Sequence, residues 1–417
     1  MKEIIKGSFL IFIFKIFGAV SMLAVHLLIA RRYGVESLGV FNLMFSLITF
    51  ITIFSRLGLD TYLIRKIPEI QDDKYYTANF ISKVIRLLLI SGLVASVLLL
   101  LSSDWIDSFI FKNTDANNYL LLASFVIIPY TLFNAVPEIF RGFYDIKIYS
   151  FYRNVSLNLG MILCLGISLI LFNYKVDIVY VLFGVIVLTS FFMFSTLIWF
   201  LKKKSIVLFK KKKFKDKILK YSYPMLFTSS IMFLMGNVDS FMISYYINEE
   251  QVGLYSACIK LSIGISFILA SINGFIAPKI AKAYSDNNKA QIKRIYYSSI
   301  KLISIGSLPI VILLILFPSL FLSIFGEEFK IAATPLVILT IAAGVNALFG
   351  SVGYLLNMTD NQNVFMKILF IGLIINLCMN IVLIPEYGIA GAAIATASSM
   401  IFWNVSSFVY LKKIKIL

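Results

Sequence analysis

Apolar positions along this chain come in unbroken stretches of about twenty residues, parted by short polar breaks, from Gly7 to Tyr410. An α-helix rising 1.5 Å per residue needs about that length to cross the hydrocarbon of a bilayer. The pattern predicts about twelve spans, near 8–30, 38–59, 79–101, 118–140, 153–173, 178–201, 221–247, 253–276, 297–317, 333–356, 365–384 and 387–410. Composition agrees: 60% of residues are hydrophobic, 14% are charged and the mean hydropathy is +0.91. These values exclude an ordinary soluble domain. The expected fold is an all-α polytopic membrane protein.

Charge adds an orientation. The formal net charge of +17 would suit nucleic acid if it were clustered on a soluble module, but no such module surrounds it. With the amino terminus cytoplasmic and the loops alternating, about 30 of the 38 Lys and Arg fall on the cytoplasmic side, as the positive-inside rule requires. Acids mark the other side, among them Glu36, Asp104, Asp107, Asp115, Asp177, Glu249, Glu250, Glu327, Glu328 and Glu386. An even number of spans then returns Lys412, Lys413 and Lys415 to the cytoplasm, so both termini are expected there.

The densest basic run holds Lys202–Lys204, Lys210–Lys213, Lys215, Lys217 and Lys220, and it sits near the middle of the chain. It reads as topogenic charge on anionic headgroups and as a linker. The expected organisation is an N-terminal bundle over 1–201, a basic cytoplasmic linker over 202–219 and a C-terminal bundle over 220–417. The first span is too long for a signal peptide and is followed by Arg31 and Arg32, so it is expected to be retained. Cys164, Cys258 and Cys378 lie far apart in apolar spans and read as packing residues rather than a disulfide or zinc set.

The two halves echo each other. RYGVESLGVFNL follows the first span and YYINEEQVGLYSA the seventh. Superposing Gly39 on Gly253 pairs Glu36 with Glu250, Leu38 with Val252, Phe41 with Tyr255 and Asn42 with Ser256. Six spans per copy put both copies into the membrane in the same sense, which predicts parallel repeats with a cavity between them.

The stretch ARRYGVESLGVF at 30–41 resembles the first outer loop of the polysaccharide transporter family. That family is the O-antigen flippase-like branch of the multidrug/oligosaccharidyl-lipid/polysaccharide exporter superfamily. Further similar stretches follow in order: NVDSFMISYYINEEQVGLYSACIKL (237–261), APKIAKAY (277–284), FGEEFKIAATPLVIL (325–339) and LIPEYGIAGAAIATASS (383–399). The resemblance covers nearly the whole chain. It implies two six-helix bundles around a central cavity that moves lipid-linked oligosaccharide across the membrane. It leaves the sugar open.

A charge in hydrocarbon costs at least about 2.5–3.5 kcal/mol on insertion scales, so each intramembrane ionisable residue needs a partner or a role. Lys15 and His26 lie eleven residues apart, three helical turns, and are expected on one face of the first span. Lys15 can snorkel to the interface or face the cavity. His26, the sole histidine, reads as a satisfied interfacial residue or as a site of proton coupling or pyrophosphate contact. Asp239 and Lys260 fall at matched depth on consecutive helices and are expected to form a buried ion pair. The alternative is that Asp239 titrates or binds a cation while Lys260 faces the cavity, and the family pattern also carries an acid at the Asp239 position.

Glu138 and Arg141 are i,i+3 neighbours near Pro129 and Pro137, which favours a bent helix there. Arg31 and Arg32 match the family's basic outer-loop position; the alternative is that they only stabilise the carboxyl end of the helix. Lys15, Arg141 and Lys260, joined by His26 and Arg31, are therefore the candidates for binding an anionic diphosphate headgroup, because Lys and Arg supply charge and several donors together. Asp239 and Glu138 are the candidates for coupling.

An enzyme is the competing class, most plausibly a membrane-embedded polysaccharide polymerase. The longest outer break, around 102–117, holds no acid/base pair, and no phosphate-cradling Gly-rich loop, metal cluster or Ser/His/Asp set is visible. The expectation is a non-enzyme without cofactor or metal. A multidrug–cation antiporter would share the fold but favours an acidic cavity, whereas the spans here carry at least as many bases as acids. The expected protein is thus a flippase of a bacterial cytoplasmic membrane, working by alternating access on polyprenyl-diphosphate-linked oligosaccharide. Its partners would be membrane lipid and a polysaccharide polymerase, and a monomer would suffice.

Overall fold

The computed structural model describes residues 2–111, 116–171, 176–208, 218–359 and 361–417. Lys210–Lys213, Lys215 and Lys217 of the basic run, in the half of the expected linker at 209–217, and the acid Asp115 lie outside the described residues. Within them every regular element is helical. The first half comprises α1 (Lys2–Arg56), α2 (Leu59–Ile70), α3 (Lys74–Leu101), α4 (Ser103–Ile110), α5 (Asn117–Ala135), α6 (Pro137–Gly142), α7 (Ile146–Asn154), α8 (Ser156–Leu171) and α9 (Ile178–Lys203). The second comprises α10 (Ile218–Tyr246), α11 (Glu249–Ser285), α12 (Lys289–Leu316), α13 (Pro318–Leu322), a 3-10 turn (Glu327–Ala332), α14 (Ala333–Phe349), α15 (Val352–Met358) and α16 (Gln362–Lys413).

Eight helices among the described residues are long and apolar enough to cross a membrane. Two of them are far longer than one crossing and are broken by glycine. α1 breaks at Gly34 (φ 87°, ψ 177°) and α16 at Gly388 (φ 58°, ψ −137°). A side chain rarely adopts such a backbone, and glycine does so without a Cβ penalty. A Cβ at Gly34 would meet nothing within 4 Å, so conformation rather than crowding selects glycine there.

The surface confirms a lipid solvent. Along α3, Phe80, Ile81, Val84, Ile85 and Leu88 are buried, while Ile90, Leu93, Val94, Leu98 and Leu101 are exposed. A helix apolar on both its buried and its exposed sides would aggregate in water and is at home in hydrocarbon. The same lack of a polar side leaves Cys378 exposed on α16 and only Cys258 fully buried, so the expectation of three packing cysteines is corrected for Cys378.

Two compact units emerge, one formed by 1–29 with 43–233, the other by 30–42 with 234–417. The division cuts through α1 and α10 rather than falling at 202–219, because the start of α10 packs within the first unit. Phe233 of α10, for example, lies 5.7 Å from Phe50 of α1 in ring-centre distance. In the second unit Ile276, Ile280, Tyr296, Val352, Leu355 and Leu411 form one core, and Ile265, Ile303, Leu314 and Ala343 another. Helix boundaries repeat between the halves. α12 begins and ends 215 residues after α3, and α14 ends 214 residues after α5. A short helix follows α3 and another follows α12, and each of α5 and α14 leads into a further short helix, α6 or α15.

Candidate functional site

The second unit encloses a carboxylate. Asp239 on α10 is 6% exposed and accepts four hydrogen bonds: from Tyr255 Oη (2.8 Å), Asn376 Nδ2 (3.1 Å), Asn380 Nδ2 (2.7 Å) and Thr396 Oγ1. Sequence spacing explains the convergence. Asn376 and Asn380 are i,i+4 on the first arm of α16 and so share a face. The break at Gly388 turns the chain back, which brings Thr396 of the second arm beside them. Gly391 allows the two arms to touch, since a Cβ there would overlap the Leu383 carbonyl oxygen. Asn380 Nδ2 also donates to Asn376 Oδ1 (3.1 Å), and Asn380 Oδ1 is buried without a partner.

The expected Asp239–Lys260 ion pair is corrected by this geometry. Lys260 is half-buried on α11 and forms no ion pair or hydrogen bond among the described residues. The two share neither depth nor face: at about 1.5 Å per residue Lys260 stands about 7.5 Å along α11 from Tyr255, the residue that meets Asp239. Tyr255 points at Asp239, and five residues further on, at about 100° per residue, Lys260 lies about 140° round the helix from it.

The first unit holds a charged cluster at the junction of α1, α2, α6 and α7. Leu57 (φ 52°) and Gly58 (φ 69°) break the chain between α1 and α2, and Arg56 bridges the break to Asp60 at 2.6 Å. Arg56 is buried and also donates to Thr52 O (3.2 Å). Glu138, 6% exposed, lies 3.5 Å from Arg141, as their i,i+3 spacing predicts. The Arg141 guanidinium stands 5.1 Å from the centre of the Tyr149 ring, and Arg153 donates to Asn134 Oδ1 (3.2 Å). Burial, reinforced by the Glu138 carboxylate, raises the Tyr149 phenol above its ordinary range and keeps it neutral.

The remaining predicted residues stand apart. His26 is buried with Nδ1 2.8 Å from Met22 O, the satisfied form of the two readings. Lys15 is exposed: it shares the helix face with His26, but three turns along that face is uncovered in this structure whereas His26 is buried. Arg31 is exposed and donates to Ile324 O (2.7 Å). Reasoning from sequence missed Tyr255, Asn376, Asn380 and Thr396, and also Arg56, Asp60 and Arg153. The i,i+4 pairs Asn376/Asn380 and Arg56/Asp60, each in or beside an apolar run, were the available signals. Among the described residues no three His, Cys, Asp or Glu side chains gather as a metal site. The oxygen-bearing groups around Asp239 suit a proton or a hard cation better than a transition metal.

An all-α fold of membrane-length helices defines a polytopic membrane protein. The chain belongs to the polysaccharide biosynthesis protein family, whose profile matches residues 28–334, on the flippase branch of the exporter superfamily that its 30–41 stretch resembles. It is similar to the Haloferax volcanii protein named "Probable low-salt glycan biosynthesis flippase Agl15", 26% identical over 98% of this chain and 85% of the relative. It is also similar to the capsular polysaccharide biosynthesis protein CapF of Staphylococcus aureus, 21% identical over 98% of this chain and all of the relative. Among solved structures, the lipid II flippase MurJ in an inward closed conformation superposes with a TM-score of 0.77 at 15% identity, covering 97% of this chain and 87% of that one. An inward-facing multidrug MATE transporter gives 0.76 at 16% identity, covering 95% and 94%. These two likenesses establish the fold.

Proposed function

We propose that the protein is a flippase that carries polyprenyl-diphosphate-linked oligosaccharide from the cytoplasmic to the outer leaflet. The observation that carries this reading is Lys260, a cation in a membrane-spanning helix with no counter-ion among the described residues. Such a charge is costly unless an anion arrives from outside the protein. A diphosphate headgroup is such an anion, and the polyprenyl tail remains in lipid. Exposed Lys15 and Arg31, and half-exposed Arg141, are further candidate cations for an anionic headgroup. The relatives named for glycan flipping and capsule biosynthesis support the substrate class.

Counting the two glycine-broken helices as two crossings each, and adding α8 and α10, gives twelve spans in two six-helix halves. The proposed working cycle is alternating access, with the halves, 1–201 and 220–417, rocking about a shared axis and the basic linker between them. Both termini then face the cytoplasm of a bacterial cell, and a polymerase on the outer side consumes the product. Asp239 is the proposed coupling residue. Rotation of the Asn376 or Asn380 amide would present a carbonyl oxygen beside the carboxylate and Thr396 Oγ1, an oxygen cage for a hard cation, while protonation of Asp239 is the other way to discharge it.

The test is translocation of a labelled polyprenyl-diphosphate oligosaccharide in proteoliposomes, comparing wild type with Lys260→Ala and Asp239→Asn. The expected result is transport without nucleotide that falls at least about tenfold in both variants, the size of effect expected when a charge-assisted contact is lost. Wild-type vesicles that move no lipid-linked sugar but expel organic cations would move the protein to the antiporter class. The MATE likeness makes that the second reading, but Asp239, already engaged by four donors, offers an organic cation little.

A further inference from the structure

Superposing the repeats pairs Gly39 with Gly253 and Asn42 with Ser256, and in the second unit these paired residues meet each other. A Cβ at Gly39 would overlap the carbonyl oxygen of Glu249, and a Cβ at Gly253 would overlap that of Val35. Val35 and Glu249 are themselves equivalent, both 214 residues apart like the glycines, so the contact is reciprocal. Backbone lies directly on backbone where α1, just past its break at Gly34, crosses the start of α11. One turn along, Asn42 Nδ2 donates to Ser256 Oγ (3.0 Å), and Leu38 is wholly buried between these contacts.

The next residue along α11 toward the crossing from Ser256 is Tyr255, which donates to Asp239. Consecutive side chains thus join the buried carboxylate to the crossing: Tyr255 holds α11 to α10, and Ser256 holds it to α1. We propose that the Gly39–Gly253 crossing is a latch that keeps this end of the protein closed, and that the Asp239 carboxylate sets the latch through Tyr255. Losing the negative charge weakens the Tyr255 hydrogen bond, since one to a charged acceptor is roughly twice as strong as a neutral one. α11 is then freer to leave α1. The coupling is reciprocal, so opening the latch must also alter the affinity of Asp239 for its proton or cation. That this end is the outer one rests on the flippase reading.

The experiment uses the full chain in vesicles, with Cys164, Cys258 and Cys378 replaced and Leu38→Cys as reporter, labelled by a membrane-impermeant maleimide from outside. Parent protein is expected to label slowly. Gly253→Ala, whose methyl cannot fit the closed crossing, raises the rate at least about tenfold by shifting the population toward the open state. Gly264→Ala, on the same helix with nothing within 4 Å of the added carbon, leaves it unchanged. Asn42→Ala adds no bulk and raises the rate about fivefold, the worth of one ordinary hydrogen bond, which covers the case that Gly253→Ala fails to fold. Asp239→Asn raises it as well.

Unchanged labelling in folded Gly253→Ala or in Asn42→Ala overturns the latch, and unchanged labelling in Asp239→Asn alone overturns its control by the carboxylate. Because labelling needs no substrate, the flippase reading fails separately. Faster labelling in vesicles that move no lipid-linked sugar keeps the latch and discards the flippase.

Discussion

Asp239, met by four neutral donors, and Lys260, met by none, show how surroundings assign different work to charge within the spans. Asp239 has every need for hydrogen bonds met by Tyr255, Asn376, Asn380 and Thr396, so removing it would strand four donors. Lys260 has no such company, so removing its charge strands nothing. A cation kept in a span without a partner lowers stability, and function is the reason to keep it. Lys260→Met preserves the apolar stem and deletes the ammonium. The expected outcome is a protein that melts higher in detergent, by up to a few degrees, yet transports poorly. A Lys260→Met protein that melts lower would mean that Lys260 has a structural partner. Both residues stood out in the sequence because charge is rare in apolar spans. Their neutral company did not stand out, because Thr396 and Tyr255 look ordinary until α16 folds back on itself.

At the scale of helices, glycine decides where the chain turns. The long apolar runs were readable because every span must match one hydrocarbon thickness, and the Gly34 break falls in a polar gap between two of them. What the runs do not give is rotation. A helix apolar on all sides has no polar stripe to say which residue faces which neighbour, and this is why counting depth paired Asp239 with Lys260 although the helix turns one away from the other. Pro129 and Pro137 signal the bend between α5 and α6, and the end of the second apolar run near 59 marks the break at Leu57–Gly58, but not its conformation. It places a leucine at φ 52°, and nothing local in Ser55-Arg56-Leu57 signals that. The hairpin at Gly388 is the tightest of these devices. Gly391→Ala forces its methyl into the Leu383 carbonyl, so the arms must part and Thr396 leaves Asn376 and Asn380. It is expected to cost about 1–3 kcal/mol of stability, typical of overpacking. Gly166→Ala in α8, where the new carbon meets nothing, is expected to be neutral or stabilising by up to about 1 kcal/mol. Thermal unfolding of the two variants side by side measures the difference.

For the whole molecule, parity is the property on which everything else turns. The repeats are parallel only if each holds an even number of spans, and only then can Gly39 and Gly253 occupy equivalent places in the two repeats. The matching helix boundaries of the two halves support six spans in each. The charge asymmetry supports the same parity, because short loops rich in Lys and Arg stay inside. If both arguments hold, single cysteines at exposed positions must sort by loop. Cysteines replacing Asp104, Glu250 and Glu327 are expected to react with an impermeant thiol reagent on intact cells. Those replacing Asp72, Asp286 and Lys412 should react only after the membrane is opened. The decisive comparison is between Asp104 and Glu327, which lie in the corresponding connections that follow α3 and α12 in the two repeats. Labelling of both from the same side is what a parallel duplication demands. Labelling from opposite sides would make the repeats inverted, and with that the two halves could not present the glycan path from the same face of the membrane.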